Sequence, residues 1–261
     1  MIKLFIQPNL IFTAAFMLIS IYCRCQQNND YDYVVDRDGG GKTEFLLNGS
    51  VGVSLPVEDY ARAGLSQPNP GYMTTGYALN LELEWFGKYN VGTFMGLLYN
   101  NNRLRSGAFT EMLRTVNDPL EIGDVIAGNA YEVSFIAGIA IRQNMGQRWD
   151  ITAKFGAGLT YSRFPGLAFS AHNSAGDEFR INRIAHENEN FTAIGELKPA
   201  YSIGARTKVF AAIRYHTGRF EHNNVSLRTT QVRTGNQITN KIDEVKNLKV
   251  VHVALGLSFT L

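Results

Sequence analysis

The sequence has few of the residues that support covalent or metal chemistry. Cys23 and Cys25 are the only two cysteines among its 261 residues. Both precede Gln26, where we predict that an export signal ends, so the exported chain would hold no thiol. We therefore expect neither disulfides nor cysteine chemistry, and we predict no cofactor and no metal site.

Long apolar runs are also missing. After residue 25, no stretch approaches the roughly eighteen apolar residues of a membrane-spanning helix. Before it, the run from Leu10 to Tyr22 is too short to span, and with Lys3 ahead of it the run is typical of a secretory signal. We predict a signal peptide at residues 1–25, and a lipoprotein carrying lipid on Cys23 or Cys25 is the alternative.

An excess of charge of one sign is absent as well. The chain has 25 basic and 23 acidic residues, and loss of Lys3 and Arg24 with the signal leaves 23 of each. A neutral exported chain has no general attraction to nucleic acid, so we expect no nucleic-acid partner. Residues 26–43 are polar and end in three glycines and Lys-Thr, which predicts a flexible periplasmic leader.

What the sequence does contain is a two-residue period of apolar side chains. Between Val251 and Leu261, apolar residues alternate with small or polar ones, which predicts a β-strand with one face in an apolar medium. The pattern recurs, and we predict eight strands, at residues 45–55, 77–85, 91–99, 131–141, 149–161, 191–203, 209–215 and 251–261. The third is ambiguous because Phe94 and Leu98 interrupt the alternation. Pro199 predicts a bulge or a local break in the sixth.

Short turns and long loops alternate between these strands, which is the layout of outer-membrane barrels. Aromatic residues lie at both ends of the predicted outward faces, as in the two interfacial girdles of such barrels. They are Tyr77, Trp85, Tyr131, Trp149, Tyr161, Tyr201, Tyr215 and Phe259. We predict an all-β fold, an antiparallel up-and-down transmembrane barrel over residues 44–261, with eight strands, or ten if the loops hide two more.

Charged residues are confined to the faces opposite the apolar ones. A basic residue at the bilayer midplane costs about 2–4 kcal/mol, so this segregation defines the register of each strand. We assign to a lumen charge network Glu82, Glu132, Arg142, Lys154, Glu196, Lys198 and Arg214. The interior of an eight-stranded barrel is just wide enough for side chains. We expect paired charges to plug it, and a gated ion path, which would make the protein a narrow channel, is the alternative.

The chain resembles the porin-like outer-membrane β-barrel family of Gram-negative bacteria, in its small eight-stranded form. The likeness rests on the signal before Gln26, the alternating strands and the terminal segment from Gly256 to Leu261. It implies a location in the cell outer membrane, contact with outer-membrane lipid and lipopolysaccharide, and insertion by the barrel-assembly machinery, which reads the last strand. Leu261 stands where that family often ends in an aromatic residue. The resemblance implies no single function, because this scaffold hosts structural proteins, adhesins, channels and lipid enzymes.

His216 raises the one catalytic hypothesis. Lipid A deacylase barrels use a strand histidine, a serine two residues later and an acidic partner, but Thr217 and Gly218 follow His216 here. His252 shares the inward face, yet two histidines are fewer ligands than a metal site needs. We therefore expect a non-catalytic, structural or surface-interaction role through four long extracellular loops, with an envelope or extracellular protein as partner. A lipid A acyl hydrolase using His216 is the alternative.

Overall fold

The computed structural model describes residues 43–61, 71–87, 89–116, 121–123 and 125–261, so the predicted signal peptide and nearly all of the predicted leader lie outside the described residues. Sheet predominates, with one α-helix, α1 (Ser106–Val116), and one 3₁₀ turn (Glu58–Tyr60) in this part. No helix there is long and apolar enough to cross a membrane. The strands are β1 (Glu44–Pro56), β2 (Gly76–Phe86), β3 (Val91–Arg103), β4 (Glu121–Ile122), β5 (Ile126–Ala127), β6 (Asn129–Met145), β7 (Trp149–Phe164), β8 (Leu167–His172), β9 (Glu178–Arg183), β10 (His186–Ser202), β11 (Thr207–Gln231) and β12 (Gln237–Thr260).

Eight of these strands form a closed ring in the order β1, β2, β3, β6, β7, β10, β11 and β12, with β12 pairing back to β1. Every neighbouring pair is antiparallel. The ring confirms the predicted eight-stranded up-and-down barrel. The additional strands, β4, β5, β8 and β9, are short and do not enter the ring.

The two faces of the barrel wall have the reverse of the polarity found in soluble proteins. On β2, Leu79 and Leu81 face outward with 45% and 55% of their surface exposed, whereas Glu82 and Glu84 face inward with 3% and 0%. Successive side chains of a strand point to opposite faces, and the other strands of the ring show the same division between exposed apolar and buried polar residues. The wall therefore has an apolar outside and a polar inside.

The third strand resolves the ambiguity in its sequence. Phe94 and Leu98 point inward and are buried, while their neighbours Met95 and Leu97 face outward. Phe94 has room because two glycines face its ring. A Cβ atom would lie 2.8 Å from the ring if added at Gly138 and 2.7 Å if added at Gly156. The apolar interruption of the pattern is thus a lumen-filling aromatic residue.

Pro199 interrupts one ladder without shifting its register. It pairs with Ile151 of β7 in an unbroken series. Toward β11, the pairs pass from Leu197–Ile213 directly to Ala200–Phe210 at the same spacing. This is the predicted local break and not a bulge, because proline lacks the N–H donor of that ladder.

Above the barrel, β11 and β12 continue as a long antiparallel ribbon that ends in the turn between Gln231 and Gln237. A bulge between His222 and Val225 of β11 lies near its base. β9 pairs with the upper part of β11, β8 pairs with β9, and β4 and β5 pair with β8. Residues 100–130, 164–190 and 217–247, which the sequence predicts as three of the long loops, thus contribute to one extension of the barrel sheet. The predicted seventh and eighth strands were correspondingly too short.

Candidate functional site: the lumen and its cap

Six charged side chains meet inside the barrel, three acidic and three basic, and each is at most 6% exposed. They are Glu82, Glu84 and Glu196, with Lys154, Lys198 and Arg214. We call this group the lumen cluster. Glu84 belongs to it, although spacing alone did not single that residue out from other inward positions.

Lys154 is the centre of the lumen cluster. Its Nζ atom lies 2.5 Å from Glu84 Oε1 and 2.8 Å from Glu196 Oε1, and it also contacts the Glu82 carboxylate. β7, which carries Lys154, is next to β10 in the ring but not next to β2. One ammonium group therefore holds together carboxylates from a neighbouring strand and from the other side of the lumen.

The remaining two bases complete the pairing. Arg214 Nε donates to Glu196 Oε2 at 2.6 Å, and Arg214 Nη2 lies 3.5 Å from Glu82 Oε2. Lys198 pairs with Glu84. Three formal positive charges thus face three negative ones. This balance matters because buried charges are tolerated only when they are paired and hydrogen-bonded.

The other two residues assigned to the network lie apart from the lumen cluster. Arg142 pairs with Glu44 at 2.6 Å and stacks 4.3 Å from the centre of the Phe86 ring, at the end of the barrel that carries the short turns. Glu132 lies near the opposite end and makes no ion pair with a described residue. Its carboxylate accepts hydrogen bonds from the Tyr60 hydroxyl at 2.6 Å and from Asn100 Nδ2 at 3.1 Å.

Aromatic rings fill much of the space around the lumen cluster. Lys154 Nζ lies 5.5 Å from the centre of the Phe94 ring, and Lys198 Nζ lies 5.0 Å from that of Phe210, within the range of cation–π attraction. Beside the cluster, Arg214 and His252 help to line a cavity of about 10 Å³. That volume is about enough for a single water molecule.

An apolar cap covers the end of the lumen from which the long loops emerge. We define the cap as Tyr60, Met73, Phe164, Phe220 and Leu248, all at most 3% exposed. Tyr60 comes from the 3₁₀ turn and meets the Phe164 ring edge-on at a centroid distance of 6.3 Å. Burial, reinforced by the Glu132 carboxylate, raises the pKa of Tyr60 well above its ordinary value, so its hydroxyl stays a donor. Sequence alternation could not reveal this cap, because Tyr60 lies outside every strand.

His216 is inside the barrel and not on its lipid side. It is 0% exposed, its ring lies 6.0 Å from that of His252, and the ring nitrogens of both residues make no hydrogen bond to a described residue. The hydrolase hypothesis needs a hydroxyl and a carboxylate bonded in series to a histidine that lipid can reach. His216 does not provide that arrangement. Among the residues that the structure describes, no group of three His, Cys, Asp or Glu side chains could hold a metal ion.

The aromatic residues predicted as girdles lie in two rows on the outside of the barrel. Near the long loops, consecutive ring centroids from Tyr77 through Tyr99 and Tyr131 to Tyr161 are 5.9, 6.5 and 6.3 Å apart. Tyr215 lies on the same outer face, 38% exposed. Near the short turns, the row contains Trp85, stacked on Phe45 at 6.1 Å, Trp149, 4.9 Å from Tyr201, and Phe259, 42% exposed.

Among the residues that the structure describes, the band between the two rows is apolar and carries no charge. Val51, Leu81, Phe135, Ile213 and Leu255 each expose between 53% and 70% of their surface there. An apolar band bordered by aromatic rows is the lipid-facing surface of a transmembrane barrel. In a soluble protein such a band would be an aggregation site.

No protein-family model matches the sequence, and no curated protein matches it. Solved structures with similar architecture include a major outer membrane protein from Thermus thermophilus, 11% identical, covering 84% of this chain and 100% of that one with a TM-score of 0.43. Ail, the attachment invasion locus protein of Yersinia pestis, is 10% identical over 84% of this chain and 97% of its own, with a TM-score of 0.39. The outer membrane protein AlkL is 13% identical over 89% and 97%, with a TM-score of 0.39.

Likeness at this level of identity and TM-score assigns no activity to the chain. The stronger statement comes from the geometry of the chain itself. A closed sheet leaves no unpaired edge in the hydrocarbon region, and its outward band meets lipid while its charges are held inside. This chain is an eight-stranded outer-membrane β-barrel.

Proposed function

We propose that this protein is a non-catalytic barrel of a Gram-negative outer membrane, with a closed lumen and an extracellular sheet that binds another protein. The observation that carries the proposal is the mutual pairing of the lumen cluster beneath the cap. A lumen filled in this way holds the barrel together and offers no free charged groups to a passing solute.

The energetics of the lumen cluster argue against the narrow channel. A solute passing Lys154 would have to separate it from Glu84 and Glu196, which contact it at 2.5 and 2.8 Å. Breaking one partner out of a buried ion pair costs about 3–5 kcal/mol. The cap would also have to move, because Tyr60 and Phe164 lie over the same opening.

The extracellular sheet supports the binding role. Ordering a residue of backbone costs about 1–2 kcal/mol, so a ribbon that continues far above the lipid band represents a large entropic cost. Closing the barrel does not require it, because β11 completes its pairing with β10 at Gly218. A rigid surface raised above the membrane is what recognition by another protein needs.

Two measurements test this proposal. The purified protein in a planar bilayer should show no conductance steps under conditions in which an open porin does. A ribbon-trimmed variant, in which residues 226–241 are replaced by Asn-Gly between the paired Val225 and Ile242, should insert normally and lose partner binding. Conductance steps in the unmodified protein, or binding unchanged by the trimming, would contradict the proposal.

A further inference from the structure

Among the described strands, none lies beside one edge of β12 above its pairing with β1. β1 pairs with β12 as far as Pro56–Val250, and the Val57 N–H then donates to the Lys249 carbonyl at 2.9 Å. β12 continues upward to Gln237, with its other edge bonded to β11 throughout. In the part of the chain that the structure describes, no strand pairs with the β1-side edge of β12 above Lys249, and we call this stretch the open edge.

The hydrogen bonds identify which residues face the open edge. The Lys249 carbonyl points toward β1, whereas at the tip the Gln231 N–H donates to the Asn236 carbonyl, which points toward β11. Successive residues of a strand point their backbone N–H and C=O groups toward opposite edges. This alternation holds along all of β12, because the extra residue of the bulge lies on β11. Odd-numbered residues therefore aim their N–H and C=O groups at the open edge: Thr239, Lys241, Asp243, Val245 and Asn247.

This edge has only part of the protection that exposed edges usually carry, namely charged side chains. It contains no proline, and its bulge lies on β11 and not on β12. On the face that follows the lumen side of the wall, Ile238 and Ile242 are 63% and 37% exposed. Residues 239–247 carry four charges, Lys241, Asp243, Glu244 and Lys246, two of each sign, so the segment as a whole repels neither an acidic nor a basic strand.

We propose that residues 239–247 of β12 bind an extended polypeptide segment of a partner protein as an added strand. This proposal rests on the proposed binding function and names the class of partner. The segment would place apolar side chains at alternate positions beside Ile238 and Ile242, and an acidic side chain beside Lys241. The carboxylate of Asp243 already accepts the Asn224 N–H at 2.8 Å, which fixes it for a basic neighbour.

A second copy in the same membrane does not fit this edge. Antiparallel pairing of two β12 edges turns one barrel upside down relative to the other, and a shared membrane forbids that. Parallel pairing of two symmetry-related edges fails for another reason. A two-fold axis along the strands would set each N–H opposite the equivalent N–H and each C=O opposite the equivalent C=O, whereas a parallel ladder needs an offset of one residue between the strands.

A proline placed at the edge separates backbone binding from side-chain binding. Lys241→Pro removes an N–H that points to the open edge and leaves the ladder to β11 intact, since edge strands accept proline at such positions. Lys241→Ala is the matched control, because it removes the same side chain and keeps the N–H. Far-ultraviolet circular dichroism and retention in the membrane report that both variants fold.

The probe is a displayed library of random peptides about twelve residues long, selected on the full chain in lipid nanodiscs and counter-selected on the ribbon-trimmed variant. We expect enriched peptides to alternate apolar and polar residues. Lys241→Pro should weaken their binding about tenfold or more, and Lys241→Ala clearly less. With peptide bound, amide hydrogen exchange should slow at Thr239, Lys241, Asp243 and Val245, and stay unchanged at the even-numbered residues between them.

Three results would overturn the inference. Peptides that bind Lys241→Pro as well as the unmodified chain would place the site elsewhere on the ribbon. Failure to enrich any peptide specific for the ribbon would also refute it, as would protection of the same amides by a second copy of the chain without peptide. The proposed function is judged separately, by conductance and by partner binding of the ribbon-trimmed variant.

Discussion

Lys154 and Glu196 are paired twice, as direct neighbours across the β7–β10 ladder and as an ion pair with 2.8 Å between Nζ and Oε1. The same Lys154 ammonium reaches Glu84 of β2 at 2.5 Å. The backbone ladder fixes where these charges stand, and the ion pairs connect strands that no ladder joins. The lumen cluster therefore links strands across the closed barrel as well as filling its interior.

Lys154→Met should strongly destabilise the barrel. It leaves the three carboxylates of the lumen cluster facing two bases, so one buried negative charge lacks a partner. We expect a loss of about 3–5 kcal/mol in the free energy of unfolding, measured by urea titration in lipid vesicles. Arg219→Met is the control, since the side chains of the Arg219–Glu221 pair are 66% and 55% exposed, and its loss should cost about 1 kcal/mol or less. Equal effects would contradict the special role of Lys154.

Gly156→Ala should overpack the lumen. Its new Cβ would lie 2.7 Å from both the Phe94 ring and the Ala137 carbonyl oxygen, and we expect a cost of about 1–3 kcal/mol in the same titration. Phe94→Leu in the Gly156→Ala background should recover part of that loss. Gly49→Ala is the control, because no atom lies within 4 Å of a Cβ at that outward position. Destabilisation by Gly49→Ala of the same size would show that the lumen contact is not the cause.

Leu81→Arg tests the lipid-facing band. Leu81 is 55% exposed and lies midway along β2 between Tyr77 and Trp85, so the substituted charge would stand near the bilayer midplane. We expect a cost of about 2–4 kcal/mol, and about 0–1 kcal/mol for Val91→Arg, at the end of β3 near a short turn. If both variants were tolerated equally, the band would not face lipid.

His222 should make the stability of the cap depend on pH. It lies above the aromatic row, fully buried, with its ring 4.9 Å from Phe164 and 5.2 Å from His186. Burial, with the charges of His186 and Arg183, lowers the pKa of His222 to about 4, while Glu244 opposes the shift and Lys246 adds to it. The native state therefore favours the neutral ring. Its contribution is complete above the unfolded pKa of about 6.5 and is lost as the pH falls toward 4.

We expect amide exchange in the lower ribbon, corrected for its intrinsic rate, to accelerate between about pH 6.5 and pH 4. His222→Phe should flatten this dependence, because a phenyl ring can keep the contact with Phe164 and takes up no proton. His172→Phe, at the far end of β8, should leave the dependence in place. A pH dependence that persists in His222→Phe would assign it to other groups.

The sequence located the eight wall strands because lipid imposes an apolar residue at every second position. Above the membrane, water meets both faces of a strand and that demand ends. The predicted seventh strand accordingly stops at Tyr215, and the predicted eighth strand starts at Val251. In the structure, β11 continues to Gln231 and β12 already begins at Gln237. Hydrogen bonding to β9 and between the two ribbon strands continues there without an apolar signature.

The pairing inside the lumen depends on information that alternation lacks. A two-residue period tells which side chains point inward, but the height of one strand against another, and hence which charges meet, follows from the stagger of the closed ring. This is why Glu84 joins Lys154 and Lys198, while Glu132, equally inward, is held by the neutral donors Tyr60 and Asn100. The cap was missed for a related reason, since Tyr60 comes from a turn with no period at all.

β11 and β12 each run as one strand, with the bulge between His222 and Val225 in β11, from the short-turn end of the wall to the tip of the ribbon. A pull on anything attached to that tip would act along both strands, parallel to their length. It would load many backbone hydrogen bonds of the β1–β12 and β10–β11 ladders at once, and would not break them one after another. Because β11 and β12 belong to the closed ring, such a load would be shared among the strands of the wall and not carried by a single ladder.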